Sequence, residues 1–388
     1  MYWTFERRFY GQPTGLDMQS IGHFLMAGYY LIPRTLQKGR YRAVVRVGDV
    51  DRVYDRIERP FPDALVAQKP VGKFSLHLSG GFDSAILAVL YDSPDADYIH
   101  IRGPETEKAR ALAATLRGRL HELELSAEEF IEAADELVPR MPEPYVYEDV
   151  VYAYIASKKA RELGHDLVLS GDGGDETFGG SVSPKYSRKA ALIWKTLDPN
   201  GVLGLRTFQP YCHPAIHAWA NTCLKPEQRG RQKRFAAQFC RELGMPRIVS
   251  EQKKTYWAGS HGTRNDPKVL QHMSAVVARS DYRCLREIRF PRTPVIDLPF
   301  RLYGLVRWLE CNHAERLSPA DVRQLERTVE GLRVVQASHP ERGLKQFVPP
   351  AAVPALASMR DMLRRSRPYA LLRRGLGGAR RREHRPGS

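Results

Sequence analysis

Hydrophobic and polar positions along this chain form two alternating patterns before giving way to one. Short, mainly apolar runs at KFSLHL (73–78), DYIHIR (97–102), LHELEL (120–125) and DLVLS (166–170) predict four strands. Between them, apolar residues recur at helical spacing over Ser84–Tyr91, Glu105–Leu116, a segment opened by Ser126 with Glu128 and Glu129, and Glu148–Leu163. Ser126 is a good helix cap, because its hydroxyl can accept from an unpaired N–H of the first turn. Strands that alternate with helices predict parallel β-α-β units and a sheet covered on both faces, the α/β class. Beyond residue 182 the patterns are mostly helical, as in Pro226–Leu243 and Pro319–Ala337.

Upstream, IGHFLMAGYYLI (21–32) predicts a short helix with one apolar face. Pro33 and a basic, β-prone stretch, YRAVVRV (41–47), follow. The organisation expected is a linker-like segment over 1–70, a core domain over 71–275, a helical C-terminal region over 276–359 and a basic tail over 360–388. No internal repeat is visible.

The length of 388 residues suffices for two domains, or one large domain with extensions. Hydrophobic residues make up 43%, enough for a substantial core. No stretch approaches the roughly 20 uninterrupted apolar residues of a membrane helix. Met1–Arg8 lacks the apolar segment of a secretory signal, so the expected location is cytoplasmic, without a membrane partner. The five cysteines, Cys212, Cys223, Cys240, Cys284 and Cys311, form no CxxC pair, which argues against a disulfide framework and a zinc site. The formal charge is +16, and half of the excess lies in the last 29 residues, where ten Arg face only Asp361 and Glu383. That tail reads as disordered. Such a tail can solubilise, or it can hold nucleic acid or an acidic partner.

Two glycine-rich loops change the picture. Ser79-Gly80-Gly81-Phe82-Asp83-Ser84 lies between a predicted strand and a predicted helix. Glycines let the backbone approach an anion, and a helix start presents unpaired N–H groups and a positive dipole end. Ser79 and Ser84 add hydroxyl donors. Asp83 would repel phosphate, but it fits a loop in which Mg²⁺ bridges carboxylate and phosphates. A tight turn with Asp83 capping the helix is the alternative. The second loop, Ser170-Gly171-Asp172-Gly173-Gly174-Asp175-Glu176-Thr177-Phe178-Gly179-Gly180, follows the fourth strand. Clustered carboxylates repel unless a cation joins them. Asp175 is the better candidate for a second carboxylate on the same metal, with a solvated turn as the bland alternative. Both loops sit at strand carboxyl ends, where ligands bind in open α/β sheets.

The SGGxDS loop resembles that of the PP-loop ATP pyrophosphatases, and SGDGGDExFGG is similar to the asparagine synthetase branch. Pro142-Glu143-Pro144 and the helix ending Ala156-Ser157-Lys158-Lys159-Ala160 resemble that branch's "DEP" segment and following helix. Gln232–Pro246 is similar to its "K..LR…LP" helix. Glu251-Gln252-Lys253-Lys254 resembles the stretch carrying its catalytic lysine, and residues 17–47 resemble the linker before the synthetase domain. The resemblance covers roughly residues 17–260. It implies an α/β fold of the parallel-sheet PP-loop ATP pyrophosphatase type (adenine nucleotide alpha hydrolase-like) with a helical C-terminal extension.

It also implies a chemistry. ATP would lie on Ser79, Gly80, Gly81, Asp83 and Ser84, with Ser170, Gly171 and Gly173 of the second loop beside it. Mg²⁺ would sit between Asp83 and Asp175. Backbone groups around His77 and His100 are candidates to read the adenine. A carboxylate would attack the α-phosphorus, and an amine would then displace AMP. Lys253, with Lys254 as its register-shifted alternative, is the candidate cation for the developing charge. A solvated basic surface is the plainer account of that pair. Asp172 matches an acidic position beside the acyl-adenylate.

The pattern also breaks. Glutamine-dependent members carry a glutaminase that starts with a cysteine, whereas residue 2 here is Tyr2 and no cysteine precedes Cys212. The expected nitrogen source is free ammonia, a substrate's own amine or a separate glutaminase. Phe208-Gln209-Pro210-Tyr211 replaces a segment that ends in an acid in asparagine-forming members, which puts aspartate in doubt. The expected substrate is a specialised small-molecule or peptide carboxylate. Ammonia-dependent asparagine formation stays open. A PP-loop enzyme acting on tRNA is a further alternative, mildly favoured by the charge and disfavoured by the lack of cysteines near the loop. A degenerate nucleotide-binding domain is the non-enzymatic reading.

Overall fold

The computed structural model describes residues 2–9, 15–27, 37–38, 41–48, 61–144, 148–178, 199–213, 216, 219–220, 233–251, 263, 266–288, 298–313 and 316–337. The chain divides into two compact units, Met1–Phe290 with Asp297–Glu330, and Pro291–Ile296 with Gly331–Ser388. Of the second, only Gly331–Ala337, the end of a helix, is described.

The N-terminal part pairs β1 (Tyr2–Phe9) antiparallel with the basic, β-prone stretch, now β4 (Tyr41–Gly48). Between them lie β2 (Gly15–Leu16), α1 (Met18–Ala27) and β3 (Gln37–Lys38). A short helix, α2 (Phe61–Val66), leads into the core.

Five parallel strands form the centre: β5 (Phe74–His77), β6 (Ala96–Ile101), β7 (Arg119–Leu123), β8 (Leu167–Leu169) and β9 (Arg206–Phe208). Their order is β7-β6-β5-β8-β9. The predicted strands account for β5 to β8. The fifth, β9, falls where a helical pattern was expected, because three residues of an edge strand are too short to show a period of two. Helices α3 (Phe82–Leu90), α4 (Thr106–Ala113), α5 (Ala127–Leu137) and α6 (Glu148–Glu162) supply the crossovers. All six residues of β6 are buried, as expected for an inner parallel strand, whereas β7 is largely half-exposed at the edge.

Local chemistry matches these elements. Ser126 caps α5 in a reciprocal capping box with Glu129, satisfying two otherwise orphaned N–H groups. The core holds Phe74, Leu76, Ile86, Leu87, Tyr98, Leu112 and Leu169, all fully buried. Each such aliphatic side chain contributes roughly 1.5–3 kcal/mol relative to exposure.

Strand order reverses between β5 and β8. Consecutive connections run one way from β5 to β7 and the other way from β8 to β9, so their loops part above this boundary. Open α/β sheets bind ligands at such a switch point, outside the strands' carboxyl ends. Here both glycine loops emerge from the two strands that flank it.

The remaining described helices are α7 (Gly174–Phe178), α8 (Arg234–Glu242), α9 (Arg247–Ser250), α10 (Pro267–Arg279), α11 (Leu298–Asn312) and α12 (Pro319–Ala337). Asp266 caps α10 ahead of Pro267, and α11 lies along the segment that enters α6. There Trp308 Nε1 donates to Met141 O (3.1 Å) and Asn312 Nδ2 to Pro139 O (3.2 Å). None of the described helices is long and apolar enough to cross a membrane.

Candidate functional site

The first loop is a hydrogen-bonded cradle at the start of α3. The Ser79 N–H donates to Ser84 Oγ (3.1 Å), the two hydroxyls are 3.0 Å apart, and the Gly81 N–H donates to Ser79 Oγ (3.2 Å). Ser84 Oγ in turn donates to Gly81 O (3.2 Å). Ser84 is therefore committed to loop shape, while Ser79 is exposed at its rim. Gly80 has φ +84°, and a Cβ there would lie 2.8 Å from Glu105 Cβ and from Glu105 O. Only glycine meets both demands.

The second loop folds against Asp83. A Cβ on Gly171 would lie 3.0 Å from Ser84 N, and one on Gly173 (φ +87°) would lie 2.7 Å from Cys212 Sγ. Asp172 turns within this loop, its N–H reaching Ser170 Oγ at 3.3 Å. Its carboxylate accepts from Gln209 Nε2 (3.3 Å), and its carbonyl faces Cys212 Sγ at 3.6 Å. The segment flagged as a departure, 208–211, is thus the floor of the second loop. It continues from β9 into a single 3-10 turn, Pro210–Cys212, whose Tyr211 hydroxyl donates to Asp83 O (2.9 Å).

Asp83 and Asp175 are brought together by a cation that sequence reasoning did not single out. Lys233 Nζ pairs with Asp83 Oδ2 and lies 2.6 Å from Asp175 Oδ1. Its side chain is only 4% exposed. Burial alone would favour the neutral amine, but the charges of Asp83 and Asp175 outweigh it and hold Lys233 protonated, its pKa raised above the usual value. The one clue was that Lys233 is the second residue of Gln232–Pro246, the stretch resembling the "K..LR…LP" helix. An aromatic chain fixes this helix against the loop. Phe178 of α7 meets Tyr211 edge-on at 5.4 Å and stacks on Phe235 at 5.8 Å; Phe235 then stacks on Phe239 at 5.9 Å. The same burial pushes Tyr211 well above its ordinary pKa, with Asp83 adding to the shift. Burial first, then Asp83, pushes the Cys240 thiol up to about 12, so it stays protonated.

His77 and His100 close the adjoining strand ends. His100 is buried, with Nδ1 2.7 Å from Leu78 O and Nε2 3.0 Å from Thr106 Oγ1. Its side chain ties β5 to the start of α4. His77 Nε2 meets Ser157 Oγ at 3.1 Å. Ser157 donates its one proton to Asn200 Oδ1, and Asn200 Nδ2 donates to Thr207 Oγ1 (2.8 Å). The network therefore assigns the His77 proton to Nε2. Burial lowers the His77 pKa to about 4, so the ring is neutral near pH 7. Glu143 is fully buried ahead of α6. Lys253 and Lys254 lie outside the described residues.

The arrangement offers two complementary features. Backbone N–H groups and the start of α3 suit an anion. Two carboxylates that already share one cation suit a hard divalent ion. Among the described residues no group of three or more His, Cys, Asp or Glu side chains could hold a metal ion.

Comparison with known proteins identifies the family. A putative glutamine-hydrolysing asparagine synthetase of Mycobacterium tuberculosis is 28% identical over 210 residues, covering 44% of this chain and 31% of that protein. Glutamine-hydrolysing asparagine synthetase 3 of Arabidopsis thaliana is 30% identical over 135 residues, covering 30% of this chain and 23% of its own length. The chain thus spans less than a third of the curated relatives it matches. The sequence profile of asparagine synthase matches residues 52–330, most of the chain and all of the parallel sheet. The protein belongs to the asparagine synthase family.

Proposed function

We propose that this protein is an ATP-dependent carbon–nitrogen ligase that activates a carboxylate as its acyl-adenylate and transfers the acyl group to an amine. The observation carrying this reading is the convergence of both glycine loops at the switch point, with Asp83 and Asp175 on one shared cation.

ATP phosphates would rest against the Gly80 N–H and the start of α3, with Gly81 letting the backbone come close. Ser79 would donate from the rim, while Ser170, Gly171 and Gly173 keep the facing wall thin. Asp83 and Asp175 would hold Mg²⁺, which when bound neutralises phosphate charge. A substrate carboxylate oxygen attacks the α-phosphorus, the α–β phosphoanhydride bond breaks, and pyrophosphate leaves. An amine then attacks the acyl carbon, loses a proton, and expels AMP. Lys253 is the proposed cation for charge on the transferring oxygens, and Asp172 the proposed acid beside the acyl-adenylate. Backbone groups near His77 and His100 are proposed to face the adenine. Neutral His77 adds no charge there.

The substrate proposed is a specialised acid or peptide, because Gln209 rather than an acid reaches Asp172. The amine would be ammonia, a group within the substrate, or the product of a separate glutaminase. The test is incubation with ATP, Mg²⁺, ammonia and a panel of carboxylic acids and short peptides, with Asp83→Ala as control. AMP and pyrophosphate, lost in the variant, are expected. ADP, or AMP unaffected by the substitution, overturns the proposal.

A further inference from the structure

Lys233 sits where a metal would be expected, and its backbone is constrained there. It is the sole non-glycine with positive φ among the described residues, at φ 44° and ψ 50°. Left-handed backbone is unfavourable for an ordinary side chain. Lysine gains nothing local from it, and no side-chain cap compensates at the start of α8. In this conformation the side-chain tip meets both acids. That ammonium is nearly sealed from water, whereas Asp83 is 20% exposed and Asp175 46%. The lysine is thus the buried member of the three, and Asp175 the most exposed.

We propose that Lys233 is a resident counter-ion for the Asp83–Asp175 pair, displaced when a divalent cation and a nucleotide polyphosphate arrive together. The inference rests on the reading that this pair takes the metal of a nucleotide. Without a cation, two close carboxylates repel, and Lys233 relieves that repulsion. A metal entering alone would strand a buried ammonium without its partners, which opposes binding. A polyphosphate supplies new anionic oxygens for the displaced ammonium. Metal and nucleotide binding are then coupled through one side chain, and the coupling is reciprocal.

The experiment compares the intact chain with Lys233→Met, using Mn²⁺ binding by electron paramagnetic resonance and thermal unfolding with Mg²⁺, both without nucleotide. Removing the resident charge is expected to tighten Mn²⁺ binding about tenfold or more, a coupling of typical size. Mg²⁺ alone should raise the unfolding midpoint of Lys233→Met clearly and of the parent barely. A non-hydrolysable ATP analogue should restore strong Mn²⁺ binding to the parent. Equal or weaker Mn²⁺ binding by the variant overturns the proposal. Lys233→Gln repeats the test without a long apolar side chain. If neither variant folds in metal-free buffer, Mg²⁺ during refolding must recover native circular dichroism, and failure to do so also overturns it. AMP formation by the parent with no gain in metal affinity in the variants retains the ligase reading and removes this one. Mn²⁺ binding to no protein, with or without the analogue, removes both the metal reading and the counter-ion.

Discussion

Gly174 lies so close to Asp83 that a methyl group on the glycine would sit 2.4 Å from the aspartate Cγ and 2.7 Å from its Oδ1. The start of α7 and the start of α3 are therefore in backbone-to-side-chain contact, and Asp83 is aimed by a wall with no side chain. Gly174→Ala should push Asp83 off Lys233. ATP–pyrophosphate exchange should fall by two orders of magnitude or more, since an ångström of misplacement can cost about 10²-fold. Stability should fall by only about 1–3 kcal/mol, typical of overpacking. Exchange assays beside urea unfolding check this; full exchange activity in the variant would refute the contact's importance.

Gly80 faces a different constraint. Positive φ and the Glu105 contacts at 2.8 Å act together. Gly80→Ala should lower the unfolding free energy by about 2–4 kcal/mol, combining strain and steric displacement. Gly164, also at positive φ but with open space around its would-be Cβ, isolates the backbone component. Gly164→Ala should cost only about 1 kcal/mol. Denaturant titration of both variants measures the difference.

His77 sets a pH dependence. Its folded pKa, about 4, lies below the ordinary 6.5. Between those values the unfolded chain binds a proton that the folded chain does not, so stability rises with pH. The contribution is fully present above about pH 6.5 and is lost as pH falls towards 4. Over that window the parent should lose on the order of 2 kcal/mol. His77→Gln, which keeps a donor for Ser157, should show a flatter profile in urea unfolding at pH 4.5, 5.5 and 7.

Asp97 anchors the opposite end of the sheet. Its buried carboxylate accepts from His165 Nε2 (2.7 Å), His121 Nε2 (2.7 Å) and Arg119 Nε (3.1 Å). Burial opposes ionisation, but these donors outweigh it and hold the pKa below the usual carboxylate range. Asp97→Asn should cost on the order of 3 kcal/mol, as for a broken buried charge network. Far from the glycine loops, it should leave ATP affinity of the folded fraction unchanged. Thermal unfolding together with nucleotide titration tests both halves.

The α/β class, four of the five core strands, and both glycine loops were legible in the sequence. Their signals are local: apolar runs, helical spacing at α3 to α6, and clustered Gly and Asp at strand ends. Ser126 and Glu129 were visible as a cap for the same reason, being three residues apart. Strand β9 was not legible, because a three-residue edge strand leaves no period to detect. The seat of Lys233 was hidden for a stronger reason. It lies 150 positions from Asp83, and the chain pattern near it records only a helix start. Which distant cation neutralises two acids is decided by strand order, by the aromatic chain from Phe178 through Phe235 to Phe239, and by the burial that makes an unpaired charge costly. Sequence determined which groups were available, and packing determined which of them meet.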